Sequence, residues 1–224
     1  MTRLAIFDCD GTLVDSGANI YAALSEALRL HGFAAPSHSA ARRVIGLSLI
    51  EAMAMLVPEA SSEQHQQLAE TYKTGFHALR ASGRVEEPLF DGIRDLLHAL
   101  EEQGWLLAVA TGKSDRGLRH CLEANDIHAR FVSLQTADRH PSKPHPSMAL
   151  TAMADAGAEP RSTIIVGDTS YDMGMAVAAG AIGIGAAWGY HEAEELIAAG
   201  AAAVATEPHQ VLDLGMQLLE RANG

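Results

Sequence analysis

Only two cysteines, Cys9 and Cys121, occur in the chain. That is too few for a disulfide framework. Cys9 stands between two acids, and neighbouring carboxylates raise a thiol's pKa, so it reads as a small buried residue and not as a redox group. Aromatic residues are scarce at 5%, so any core must be built mainly from Ala, Leu, Val and Ile. Positive charge is scarce too: the net charge is −12 and no basic run occurs. That argues against a nucleic-acid backbone or an anionic membrane surface as partner. It also means that a phosphate-sized substrate needs local positive groups, because the overall field repels it. The eleven histidines are scattered without ligand spacing, so zinc is not expected. No apolar run approaches membrane length, and the first residues run directly into the apolar residues 4–7, so no signal peptide is expected. A reduced, cytoplasmic setting is the expectation. What is present is 48% hydrophobic residues in 224, enough for one large α/β domain or for a core with a smaller insert.

The most informative stretch is Asp8-Cys9-Asp10-Gly11-Thr12, which follows the apolar run Leu4-Ala5-Ile6-Phe7. A short continuous apolar run is the pattern of a strand covered on both faces. Two acids two residues apart at its end can address one small site, and Gly11 lets the backbone turn sharply. Taken alone, the motif is equally a strand followed by an Asx turn.

From about Asp91 onward helix and strand patterns alternate. Helical periodicity over 93–102, 118–124, 148–156, 173–179 and 194–199 is interleaved with apolar strand patterns over 105–110, 131–134, 163–166, 182–186 and 202–205. Glycines follow several helices where left-handed caps are expected. Such units imply a mostly parallel sheet flanked by helices, a Rossmann-like α/β fold. Residues 16–84 look different: helical runs over 20–30, 49–56 and 64–79, breaks at Pro36 and Pro58, and no convincing strand. They are expected to form an inserted helical domain, with the core made of 1–15 and 85–224. The alternative is that these helices simply cover the sheet.

Four strand ends then supply compatible groups: Asp8 and Asp10, Thr111-Gly112, Lys143 in the loop after 131–134, and Asp168 with Asp172. In a parallel sheet these ends share one edge. Clustered carboxylates repel one another unless a hard cation sits among them, and Mg²⁺ prefers oxygen ligands. Carboxylates, a hydroxyl and an ammonium around such an ion suit phosphoryl transfer.

The order and content of these motifs resemble the haloacid dehalogenase superfamily of hydrolases with a helical cap inserted after the first motif. Asp8-Cys9-Asp10-Gly11-Thr12 matches its first motif, Thr111 its second, Lys143 its third, and Gly167-Asp168-Thr169-Ser170-Tyr171-Asp172 its fourth. The resemblance implies that Asp8 attacks phosphorus to form an aspartyl-phosphate, while Asp10 protonates the leaving oxygen and then activates water. It implies that Mg²⁺ is held by Asp8, the Asp10 backbone carbonyl and Asp168, with Asp172 supporting from behind. Thr111, the Gly112 backbone and Lys143 would bind the phosphoryl group.

Within the superfamily, dehalogenases usually carry an aromatic residue where this chain has Asp10. Phosphonatases place a Schiff-base lysine in the cap, whereas residues 16–83 contain only Lys73, late in a helical run. Sugar-phosphate mutases resembling β-phosphoglucomutase carry a histidine where Ile20 stands. The resemblance is to phosphoglycolate phosphatases, through residues 8–16, Arg43-Val44-Ile45-Gly46 and Lys143-Pro144-His145-Pro146, although many relatives have Asn at the position of Gly112. The expected substrate is a small phosphomonoester, handled by a monomer or homodimer with no nucleic-acid or membrane partner. Pyrophosphatase or nucleotidase action, 2-haloacid dehalogenation and a non-catalytic binding role stay open. Arg42 or Arg43, ahead of Gly46, is the candidate for substrate specificity, Arg43 foremost, since a guanidinium suits a carboxylate or second phosphate; a solvated helix end is the other reading. His145 reads as positional, and Trp105 and Trp188 as packing residues.

Overall fold

The computed structural model describes residues 2–83 and 85–223. The expected domain boundary at residue 84 falls outside them, as do the expected core's terminal positions 1 and 224. Six strands form one parallel sheet: β1 (Arg3–Phe7), β2 (Trp105–Thr111), β3 (Phe131–Thr136), β4 (Thr163–Gly167), β5 (Ile182–Ala186) and β6 (Ala203–Ala205). Their order is β3-β2-β1-β4-β5-β6, with every pairing parallel. The chain builds outward from β1 through β2 to β3, then crosses to β4 on the other side of β1. The order reverses at β1 and β4, and the crevice outside their carboxyl ends is where open α/β sheets bind ligands.

The apolar run of β1 explains its central place. Leu4 through Phe7 are all fully buried, as expected for a strand with helices on both faces. Ala5 and Phe7 join the cluster formed with α5 (Ile93–Glu102), α6 (Asp115–Ala124) and α10 (Gln210–Asn223). Leu4 and Ile6 face the other way, onto α7 (Ser147–Ala156) and α8 (Ser170–Ala179). The short α9 (Ala193–Ala198) lies between β5 and β6 in the chain.

Residues 17–81 are wholly helical apart from their connections: α1 (Gly17–Leu30), α2 (His38–Val44), α3 (Leu49–Leu56) and α4 (Ser62–Ala81). They share an apolar cluster of their own, with Leu24, Leu28, Met53 and Leu68 at its centre. Among the described residues no helix is long and apolar enough to cross a membrane.

The expected strands are all present, most of them longer or shorter by a residue or two. Two helices were not anticipated. α2 buries only Ala41 and Val44 and begins at the Ser37 cap, so its apolar signal is two residues long. α10 lies beyond the last expected strand and packs Val211 and Leu219 into the main core.

Candidate active site

β1 delivers Asp8 to the sheet rim while still in register, because the Asp8 amide donates to the Val166 carbonyl at 2.9 Å. The Asp8 Oδ1 atom accepts from the Cys9 amide at 2.6 Å and lies 2.8 Å from Lys143 Nζ. Its other oxygen, Oδ2, is buried with no hydrogen-bonding partner. The chain then turns at Gly11, whose φ is +83°. A Cβ there would stand 2.2 Å from Asp168 Oδ2 and 2.6 Å from the Tyr190 ring. Glycine is therefore required twice at this position, for the left-handed backbone and for the approach of Asp168.

β4 ends in Gly167, and Asp168 follows it into the same crevice. Its carboxylate accepts from Thr12 Oγ1 at 2.8 Å and from the Tyr190 amide at 2.9 Å. Thr169 caps α8 and sets Asp172: the Asp172 Oδ2 atom accepts from the Thr169 amide at 3.1 Å and from its hydroxyl at 2.7 Å. Asp172 is thus fixed by the reciprocal bonds of a capping box. Lys143 reaches in from the loop between β3 and α7, preceding a cis peptide bond to Pro144. Its fully buried ammonium bridges Asp8 and Asp172, at 2.8 and 2.7 Å.

One oxygen each of Asp8, Asp168 and Asp172 falls within 4.8 Å of the others. At that spacing two unit charges repel by roughly 3 kcal/mol with an effective dielectric of ~20. Lys143 answers only part of the charge. Burial, against the pull of Lys143, pushes the Asp8 carboxyl up to about 7. Burial, with Asp8 and Asp172 as neighbours, carries Asp168 well above the usual carboxylate range. Burial by itself would lower Lys143, but Asp172 and Asp8 outweigh it and raise the ammonium's pKa. All-oxygen donors and excess negative charge fit a hard divalent cation such as Mg²⁺.

The second acid behaves differently. The Asp10 Oδ1 atom accepts a short hydrogen bond from the Ser16 hydroxyl and lies 2.8 Å from Lys113 Nζ. Lys113 also pairs with Glu87 at 2.6 Å, and Glu87 with Arg80 at 2.8 Å. A chain of charges thus runs from the β1 loop through the end of β2 to α4. Burial would lower the Lys113 pKa, but Asp10 first among its acidic neighbours raises it well above normal. Thr111 is buried at the end of β2, and its hydroxyl accepts from the Lys113 amide at 3.2 Å. Gly112 lies directly beneath the α2–α3 connection: a Cβ there would stand 2.4 Å from the Leu47 carbonyl oxygen.

The structure therefore brings Asp8, Asp10, Thr111, Gly112, Lys143, Asp168 and Asp172 to one rim. Arg43 lies apart from them. Its side chain is 62% exposed and pairs through the guanidinium with Glu195 at 2.7 Å. Arg42 instead donates to the Gly189 carbonyl at 3.0 Å. Lys113, Glu87 and Ser16 were not singled out in the sequence, although Lys113 directly follows Thr111-Gly112. His145 accepts from the Ser147 amide at the start of α7, and Trp188 donates to the Thr12 carbonyl.

Residues 5–186 match the family model of haloacid dehalogenase-like hydrolases. Over 225 residues the chain is 34% identical to a probable phosphatase, IndB, of Dickeya dadantii, covering 100% of this chain and 94% of that protein. It is 33% identical over 194 residues to a phosphoglycolate phosphatase of Xylella fastidiosa, covering 86% and 83% of the two chains. Among solved structures, a predicted phosphatase from Clostridium acetobutylicum has a TM-score of 0.84 and 26% identity, covering 98% of this chain and 99% of that one.

Proposed function

The chain belongs to the haloacid dehalogenase-like hydrolases, and from that premise we propose that it is a Mg²⁺-dependent phosphatase of small phosphomonoesters. The observation that carries the reading is the asymmetry of Asp8. One of its oxygens is held by Lys143 and the Cys9 amide, and the other is buried without a partner. A carboxylate oriented through one oxygen and free at the other is arranged as a nucleophile.

In this reading Asp8 Oδ2 attacks phosphorus, the ester P–O bond breaks, and an aspartyl-phosphate forms on Asp8. Asp10 gives its proton to the leaving oxygen and afterwards takes one from the water that cleaves the intermediate. Ser16 and Lys113 hold the Asp10 carboxyl group through its Oδ1 atom, which leaves Oδ2 to carry the proton for both transfers. The Thr111 hydroxyl, the Gly112 amide and Lys143 hold the phosphoryl oxygens. Asp8, Asp168 and the Asp10 carbonyl would hold the Mg²⁺, with Asp172 behind, where it accepts from Lys143 and Thr169. When bound, the ion supplies charge neutralisation for the phosphate and the carboxylates.

Residues 16–84 serve in this reading as a cap domain over the crevice. Their separate apolar cluster and the seating of Leu47 on Gly112 support a lid that excludes water during transfer. Similarity to phosphatases named for phosphoglycolate supports counting that ester among the candidate substrates. Turnover of p-nitrophenyl phosphate with and without Mg²⁺ tests the proposal. Metal-dependent phosphate release is expected. Metal-independent halide release from a 2-haloacid, with no phosphate release, would overturn it.

A further inference from the structure

A chamber of about 100 Å³ lies beside the candidate site, between the helical block and the strand ends. Asp10, Gly112 and Lys113 form its core side, and Ile20, Leu24, Leu47, Ala52 and Phe76 dominate the opposite walls. Asp10 is the proposed proton donor to the leaving oxygen, so this chamber is where the leaving group of a substrate would lodge.

The charges on its walls are already answered. With Asp10 carrying the proton that goes to the leaving oxygen, Lys113 and Arg80 still share the buried Glu87 carboxylate, and Lys73 pairs with Glu70. His77, the remaining basic side chain there, is held below its ordinary pKa by desolvation and by Arg116, Arg80 and His120 nearby. It is therefore largely neutral at pH 7. Among the described residues lining the chamber, each Lys or Arg thus already has a carboxylate partner. A second negative charge next to Asp10 would have to displace the buried Glu87 from Lys113 and Arg80 or be buried against apolar walls, and both are unfavourable; Lys73 stands with Glu70 at the exposed rim.

Size narrows the choice further. A closed apolar cavity of roughly 150 Å³ holds benzene. A chamber of about 100 Å³ that opens on one side fits one ring beside Asp10, whereas a base together with its ribose would have to extend beyond it into the adjoining cavity lined by Leu49, Lys73, Gly112 and Ser114. Resting on the phosphatase reading above, we propose that the substrate is the phosphomonoester of a compact, uncharged, ring-sized alcohol, and that the carboxylate-bearing 2-phosphoglycolate is a poor one. The ester and water yield the free alcohol and inorganic phosphate, the alcohol oxygen taking the Asp10 proton.

The test compares kcat/KM in saturating Mg²⁺ for benzyl phosphate, 2-phosphoglycolate and AMP. Benzyl phosphate and 2-phosphoglycolate both release primary alcohols, so leaving-group reactivity does not decide between them. Benzyl phosphate is expected to exceed each of the others by at least about tenfold. Equal or greater efficiency with 2-phosphoglycolate or AMP overturns the inference and leaves the phosphatase reading standing. No turnover of these three or of p-nitrophenyl phosphate overturns that reading, and the inference with it. Leu49→Arg provides a second arm, because Leu49 lines the chamber and is only partly buried. An added unpaired guanidinium is expected to shift the ratio toward 2-phosphoglycolate at least about fivefold. An unchanged ratio in the folded variant refutes the charge argument, and should the variant fail to fold, the wild-type ratio decides.

Discussion

Replacing Asp8 by Asn should make the metal-free protein more stable and catalytically dead, an opposition that only a functional carboxylate produces. The folded protein carries this carboxyl from an ordinary value of 3.8 to about 7, chiefly through burial. The native state therefore holds the proton more tightly than the unfolded chain. Stability falls as pH rises from about 4 to about 7 and stays depressed above that. At about 1.4 kcal/mol per pH unit, the full cost of the ionised form is ~4 kcal/mol. Relaxation around the charge takes back part of it, so the Asn variant should gain ~1–3 kcal/mol at pH 8. For a chain of this length that is about 2–4 °C in Tm for each kcal/mol. Urea unfolding in EDTA at pH 8 and pH 5 measures it, and the gain should fall below about half at pH 5. Saturating Mg²⁺ should reverse the order, because the wild type gains a ligand that the variant binds poorly. Turnover of p-nitrophenyl phosphate should drop by at least about 10⁴-fold. A variant less stable than wild type at pH 8 in EDTA, or one that keeps its turnover, would refute the reasoning.

Asp168→Ala should weaken Mg²⁺ binding and turnover together, by at least about tenfold each; calorimetric titration showing unchanged Mg²⁺ affinity would count against Asp168 as a ligand. Glu87→Gln removes the shared partner of Lys113 and Arg80 and should cost ~1–3 kcal/mol at pH 7. Burial tends to raise the Glu87 pKa, but Lys113 and Arg80 outweigh it and hold it below its ordinary value. The stability from this group is therefore present above about pH 4.5 and lost as pH falls through the lowered value, so the urea midpoints of wild type and variant should converge in acid. A pH-independent difference would sink that account. Gly112→Ala should press against the Leu47 and Gly46 carbonyls, which lie 2.4 and 2.9 Å from the new Cβ. Such overpacking costs ~1–3 kcal/mol. Hydrogen exchange should quicken at residues 45–49 while KM rises, and unchanged exchange would show that the cap does not depend on this contact.

What could be read from the sequence divides along a physical line. β1, β2 and β4 were legible because a strand buried on both faces must be apolar throughout, as Leu4-Ala5-Ile6-Phe7 is. The candidate site residues could be grouped because parallel strands put their ends on one edge, so Asp8, Thr111 and Asp168 needed no contact information to be brought together. Lys143 sits in a loop, and its place after the 131–134 strand put it on the same edge, in agreement with the family motif. The pairing of Asp10 with Lys113, and of Lys113 with Glu87 and Arg80, left no such trace. Ion pairs between residues on different elements have no period, and Lys113 looks like any lysine after a strand. Arg43 shows the reverse error of emphasis. Its neighbour Gly46 and its charge drew attention, yet the helix turn that carries it aims the guanidinium at Glu195, and the apolar residues around it, Val44 and Leu47, line the chamber instead.

The claim on which the account rests is that phosphorus becomes bonded to Asp8. Borohydride added to the wild-type protein during turnover of p-nitrophenyl phosphate in Mg²⁺ reduces an acyl phosphate to the alcohol, and peptide mass spectrometry then locates the change. The account predicts homoserine at position 8, dependent on both substrate and Mg²⁺. Reduction at Asp10 or at another carboxylate, or none at all while phosphate is being released, would contradict it.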